Sequence, residues 1–202
     1  MSITLIIIVV TALLSWATFG NDQTFERFCF TPYEVWQKKE WYRVLTGGFL
    51  HANMQHLFFN MLSLFFFGPY VEVFFREIFG SMGNGLYVLF YITAIAIANI
   101  PDLILQKDNY SYRAVGASGA VSAVIFASII FSPTSTIYFM FFPMPAFVFA
   151  ILYLVYSAYM AKRGMDNIGH LAHFSGAIFG FAFPLILRPA LFIEFIQQII
   201  GK

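Results

Sequence analysis

Six apolar stretches, each about as long as a bilayer's hydrocarbon is thick, constrain this chain more than any other feature. They cover residues 2–19, 50–68, 83–100, 115–132, 144–161 and 169–187. A spanning helix needs about 20 mostly apolar residues, and every backbone polar group within lipid must be satisfied inside the segment or bundle. Composition agrees: 60% of the 202 residues are hydrophobic and 10% charged, against about 25% charged in a soluble domain. So little charge cannot cover a water-soluble body of this size. The pattern predicts an all-α membrane protein, a six-transmembrane-helix bundle forming one domain over residues 1–202. That apolar composition excludes the disordered class, and Cys29, the single cysteine, cannot form an internal disulfide. A net charge of +1 gives no field for a polyanion, so no nucleic-acid partner is expected.

The stretches break at turn residues. Gly20-Asn21-Asp22 closes the first, Gly68-Pro69 the second, Pro101-Asp102 the third, Ser132-Pro133 the fourth and Lys162-Arg163-Gly164 the fifth. The tail after Pro189 is apolar but too short to span, and is expected along the interface or the bundle. The first stretch lacks a basic leader and a small-residue cleavage site, and reads as a retained helix. The linker 20–49 holds four bases (Arg27, Lys38, Lys39, Arg43), four acids (Asp22, Glu26, Glu34, Glu40), Trp36 and Trp41. Rings beside charges suit the headgroup level, and 30 residues are too many for a bare link. It reads as an ordered interfacial loop.

Ionisable and strongly polar groups within spans are costly and often functional. His51 and His56 fall in the second stretch, with Asn60 four residues on; the fourth opens Gly116-Ala117-Ser118-Gly119; His170 and His173 open the sixth. All three stretches start on the same membrane face. At about 1.5 Å per residue, Ser118 and His173 lie within one to two turns of that face, and His56 and Asn60 share one side of their helix about 8 and 14 Å below His51. Gly119, Ala123 and Ala127 form a small-residue stripe, and Gly176 with Gly180 a GxxxG, both suited to close helix contact.

Such a layer suits acyl transfer. Ser118 would be the nucleophile, activated by His173 as base and later acid. The oxyanion would be met by Asn60, His56 and the Ser118 backbone N–H, which no intrahelical partner claims. Asp166 stands about two turns from His173, too far to orient it, so a Ser-His dyad is expected. Each residue alone has a plain reading: serines are common in small-residue helices, Asn60 could be interhelical glue, and His51 an interface or supporting group. His170 is the rival base. Glu72, Arg76 and Glu77 read as loop surface or an inter-loop ion pair, and the phenylalanine runs (Phe65 to Phe67, Phe141-Phe142) as lipid-facing bulk. Two other functions stay open. The four histidines could ligate a metal or haem, which would leave Ser118 and Asn60 unused and lacks H-E-x-x-H; or the chain could bind helical clients without catalysis. The dyad reading requires no metal and no cofactor.

At these residues the chain resembles the rhomboid family of intramembrane serine proteases. Trp41-Tyr42-Arg43 and Thr46-Gly47-Gly48-Phe49-Leu50-His51, followed by His56 and Asn60, are similar to its first-loop Trp-Arg pair and its H-x4-H-x3-N run. Gly116-Ala117-Ser118-Gly119 resembles its G-x-S-G, and Ala172-His173 through Gly176 its A-H-x-x-G. The resemblance implies that Ser118 and His173 are catalytic and that His56 and Asn60 form the oxyanion hole, with Gly116, Gly119 and His51 supporting. It implies a site sunk below the membrane surface and wetted from one side, beside a half-embedded first loop. Substrates would be transmembrane protein segments entering from the lipid bilayer. The compact bacterial form implies a bacterial inner (cytoplasmic) membrane, termini in the cytoplasm and a site facing out. Charge opposes that orientation: eight Lys/Arg follow stretches one, three and five and three lie on the other side, which would put the site face inside. The family topology is preferred, because the bases of residues 20–49 are matched by acids. One departure stands out: some members carry an aromatic one turn after the nucleophile, where this chain has Ser122. Members without protease activity typically lack the serine or the histidine, and both are present.

Overall fold

A computed structural model describes residues 2–139, 141–163 and 168–201. Helix α1 (Ile3–Thr18) is followed by three short helices, α2 (Asp22–Phe28), α3 (Pro32–Lys38) and α4 (Arg43–Thr46). Long helices α5 (Met54–Phe79) and α6 (Gly83–Leu105) come next, then α7 (Ser118–Phe131), α8 (Ala146–Arg163), α9 (His170–Leu187) and α10 (Ala190–Ile200). Three helical stretches are long and apolar enough to cross a membrane: Met54–Leu105, which holds α5 and α6, Ala146–Arg163 and His170–Leu187. Helices α1, α7 and α10 are shorter apolar helices. Six full-length spans is therefore more than helix length alone supports.

Helix α7 is the axis of the bundle. Of its 14 residues, all but Ser118 and Ile125 are buried, and it packs most closely on α9, with α5 and α6 completing its jacket. The predicted small-residue stripes are the reason. A Cβ placed on Gly176 would lie 2.8 Å from the Gly119 carbonyl carbon, and one on Gly180 would lie 2.6 Å from that of Ala123. Backbone meets backbone along two turns, a contact open only to residues without side chains there. Aromatic rings fill the wider end: Phe75 stacks with Phe183 at 6.3 Å and Phe90 with Phe179 at 5.8 Å.

Helix α1 is built the other way round from a soluble helix. Its buried residues are Thr4, Thr11, Ser15 and Thr18, while Val9, Leu13 and Trp16 face outward. Hydroxyls spaced at three, four and seven residues share one side, and in lipid that is the side that seeks partners. Its first amides are capped by Glu72 of α5, which accepts from Ile3 N (3.0 Å), Thr4 N (3.0 Å), Ser2 Oγ (2.7 Å) and Thr4 Oγ1 (2.9 Å).

Several expectations change. Pro69 and Pro101 do not end their helices: α5 runs through to Phe79 and α6 to Leu105. A proline costs one helical hydrogen bond and neighbouring helices can absorb it; Gly68 instead makes room for Thr4 of α1, which a Cβ there would meet. Glu72 is not loop surface but a buried cap, 2% exposed. His51 lies outside α5, because the Asn53 side chain accepts from His56 N (2.8 Å) and starts the helix after it. The chain is not wholly α: β1 (Thr136–Phe139) and β2 (Phe142–Pro145) form an antiparallel hairpin with Thr136 opposite Pro145. Alternation of Thr136, Ile137, Tyr138 and Phe139 favours a strand, and Pro143 and Pro145 forbid a helix there. The expected terminal segment is α10, which buries Leu191 and Phe195 against the bundle.

Candidate active site

Residues 20–49 are ordered, and they position the approach to Ser118. Arg43, 7% exposed, donates from Nε to Glu40 Oε2 (2.6 Å) and from Nη1 to the carbonyls of Glu26 (2.7 Å) and Cys29 (3.0 Å). That ties α2, the turn between α3 and α4, and α4 itself to one guanidinium. The assembled loop then grips residues 114–116. Phe30 and Ala114 exchange backbone hydrogen bonds at 3.0 Å, and Gly116 N donates to Gly47 O at 3.0 Å. Arg113 pairs with Glu26 at 2.8 Å, and Trp36 Nε1 donates to the Leu103 carbonyl at 2.9 Å. Farther along, the Tyr112 phenol is pushed up by burial and by the Asp102 carboxylate it bonds.

Gly116 turns the chain into α7 at φ +128°, a region that disfavours side chains. A Cβ there would lie 2.6 Å from His56 Cε1 and 2.9 Å from its Nε2. The His56 imidazole therefore lies flush against the backbone two residues before Ser118. Ser118 itself is the first residue of α7 and half-buried. The first helical hydrogen bond of this turn runs from Val121 N to Ala117 O (2.8 Å), so the amides of Ser118, Gly119 and Ala120 precede it and aim their positive ends out of the helix.

The partner turn of α9 is brought in by the glycine contact. A Cβ placed on Gly119 would lie 3.3 Å from the Ala172 carbonyl oxygen, and Gly176 faces Gly119, which sets the turn that carries His173 against the turn that carries Ser118. His173 is half-buried, and His170 is buried beside Tyr156 of α8, ring centroids 5.6 Å apart. The two histidines are 6.2 Å apart. Asn60 is buried, and one of its two amide hydrogens goes to the His56 carbonyl (3.0 Å). The histidines thus form two pairs, His51–His56 at 4.9 Å and His170–His173. Among the described residues no group of three or more His, Cys, Asp or Glu is placed to hold a metal. Asp166 lies outside the described residues.

Two features escaped the sequence reading. Ser122 bonds the hydroxyl of Tyr153 on α8 at 2.6 Å, so a tyrosine from another helix reaches the position one turn after Ser118. Ser15 of α1 reaches His51 Nδ1 at 2.9 Å. The hydroxyl stripe at 4, 11, 15 and 18 is the signal that could have singled it out.

Comparison with known proteins adds the family. The Rhomboid domain model matches residues 38–190. RHOMBOID-like protein 12, mitochondrial, of Arabidopsis thaliana is 29% identical over 66% of this chain and 43% of its own length. The putative rhomboid protease YdcA of Bacillus subtilis is 35% identical over 41% of this chain and 37% of its own. The rhomboid protease GluP of the same bacterium is 26% identical over 80% of this chain and 30% of its own. The chain spans about half or less of the length of the curated relatives it matches.

Proposed function

The chain belongs to the rhomboid family, and from that premise we propose that it is an intramembrane serine endopeptidase that cleaves transmembrane segments of other membrane proteins. Ser118 attacks the scissile carbonyl while His173 takes its proton. The tetrahedral oxyanion is met by the Ser118 N–H, the His56 ring and the Asn60 amide hydrogen not used by the His56 carbonyl. His173 returns the proton to the leaving amine, and water then releases the acyl group by the same steps reversed. The backbone contact of Gly119 with Gly176 is the observation that carries this reading, since it brings together the turns bearing nucleophile and base. His173 is preferred to His170 because it stands three residues before Gly176, on the side that meets α7, whereas His170 packs on Tyr156.

The shortness of α7 supports a sunken site. Fourteen residues rise about 21 Å, less than the roughly 30 Å of hydrocarbon. A helix anchored at its far end therefore begins below the surface, where water must reach Ser118. One domain over residues 1–202, six crossings, residence in a bacterial inner membrane and a site facing out with the termini in the cytoplasm belong to the same proposal.

The test is covalent labelling of the full chain in detergent by a serine-directed fluorophosphonate. Ser118 becomes modified, and neither Ser118→Ala nor His173→Ala reacts, while His170→Ala still does. A well-folded parent chain that stays unlabelled and cleaves no transmembrane substrate overturns the protease reading in favour of a client-binding protein.

A further inference from the structure

Helix α1 lies outside the stretch matched by the family model, which begins at residue 38. Nevertheless one of its side chains is wired to the backbone beside Ser118. The Ser15 hydroxyl is fully buried and lies 2.9 Å from the Phe49 carbonyl and 2.9 Å from His51 Nδ1. On the other side of that imidazole, the Ala117 N–H points at His51 Nε2 at 3.4 Å, a long bond in a wholly buried place.

These contacts permit one arrangement of protons. The Phe49 carbonyl can only accept, so the single Ser15 proton goes to it. The Ser15 oxygen must then accept, which requires the proton of His51 on Nδ1. That leaves Nε2 bare to accept from Ala117. The opposite tautomer would set Nε2–H against Ala117 N–H, two donors face to face, and would strand the Phe49 carbonyl. A doubly protonated ring would meet the same clash.

We infer that Ser15 is a positioning residue that locks His51 in its Nδ1–H form, so that His51 holds the Gly116-Ala117 backbone and the His56 ring in register with Ser118. The inference rests on the protease reading and deepens it. His51 meets His56 edge to face at 4.9 Å with 74° between planes, and His56 in turn lies flush against Gly116. Loop one pins the same segment through Gly47. Residues 116–117 are thus held from two sides, and Ser15 governs one of them. A register error near 1 Å at a reacting group can cost about 10²-fold in rate, and loss of an outer hydrogen-bond partner about 10-fold or more.

The experiment joins a spectroscopic and a kinetic readout on the full chain. Nitrogen-15 NMR of histidine-labelled protein in nanodiscs shows His51 protonated at Nδ1 and bare at Nε2, and Ser15→Ala shifts it toward Nε2–H. In parallel, Ser15→Ala slows fluorophosphonate labelling of Ser118 by about 10-fold, with thermal stability followed on the same samples. His51→Gln, which can keep an acceptor near the Nε2 position, labels faster than His51→Asn, which keeps only the group facing Ser15; a packing role would not sort them by acceptor. This pair also carries the test if Ser15→Ala does not fold. An Nε2–H tautomer in the parent chain, or labelling of Ser15→Ala at the parent rate, overturns the inference and leaves the protease reading standing. A parent chain that does not label at all overturns the protease reading and with it the site role of Ser15.

Discussion

Gly176→Ala is the sharpest probe of the site, because it alters one atom on a backbone contact and touches no reacting group. The added methyl carbon would lie 2.8 Å from the Gly119 carbonyl carbon and 3.1 Å from its Cα. Carbon atoms rest at about 3.5–4.0 Å, and the obstacle is backbone rather than a side chain that can swing aside. Helices α7 and α9 must therefore part by roughly 1 Å, and the turns bearing Ser118 and His173 part with them. The hydroxyl–imidazole bond proposed between Ser118 and His173, about 2.6–3.2 Å in length, could not survive that, and the expected loss in turnover is about 10²-fold. The stability cost is smaller. Overpacking costs about 1–3 kcal/mol, and alanine's better helix propensity returns up to about 1 kcal/mol. The assay is cleavage of a model transmembrane substrate in proteoliposomes, with thermal unfolding on the same preparations. Gly180→Ala is the graded control: its methyl would lie 2.6 Å from the Ala123 carbonyl carbon, one turn deeper, so stability falls similarly and turnover falls less. Gly85→Ala meets nothing within 4 Å and should leave turnover unchanged. A Gly176→Ala protein that is folded and cleaves within twofold of the parent would refute the claim that this contact sets the catalytic distance.

Two other predictions concern the frame. Glu72→Gln keeps the shape but removes the charge on which Ser2, Ile3 and Thr4 converge; it should lower stability by about 1.5–3 kcal/mol, read as a drop in Tm, and an unchanged Tm would mean that α1 does not need this cap. Burial pushes the Cys29 thiol up and the side chain is fully covered, so iodoacetamide at pH 8 should modify it only after denaturation; fast labelling of native protein, read by mass spectrometry, would show that residues 20–49 open.

Much of this protein was legible without coordinates, for a reason particular to lipid. With charge scarce, each polar group inside an apolar run stands out singly: Ser118, His173, His56 and Asn60 could be listed from spacing alone. The two small-residue stripes also stood out as faces suited to close helix contact, although their meeting each other, Gly119 on Gly176 and Ala123 on Gly180, came only with the tertiary structure. Proline misled the same reading. In water Pro69 and Pro101 would be sound stops, but packed helices tolerate the missing hydrogen bond, and α5 and α6 continue through them.

What the sequence by itself determined was local or periodic: apolar runs, breaks, small-residue ridges and the identity of the polar groups on the site face. What only the tertiary structure decided was partnership between residues far apart in the chain. Glu72 turned from loop surface into the cap of α1, Tyr153 reached Ser122 from α8, and Arg43 tied α2 to the α3–α4 turn in a clamp on the approach to Ser118. His51 left its helix to join Ser15 with Ala117, 102 residues apart in number but one imidazole apart in space. A hydrogen bond is satisfied by whichever donor or acceptor packing delivers, and in lipid, where no water can substitute, packing alone makes that choice.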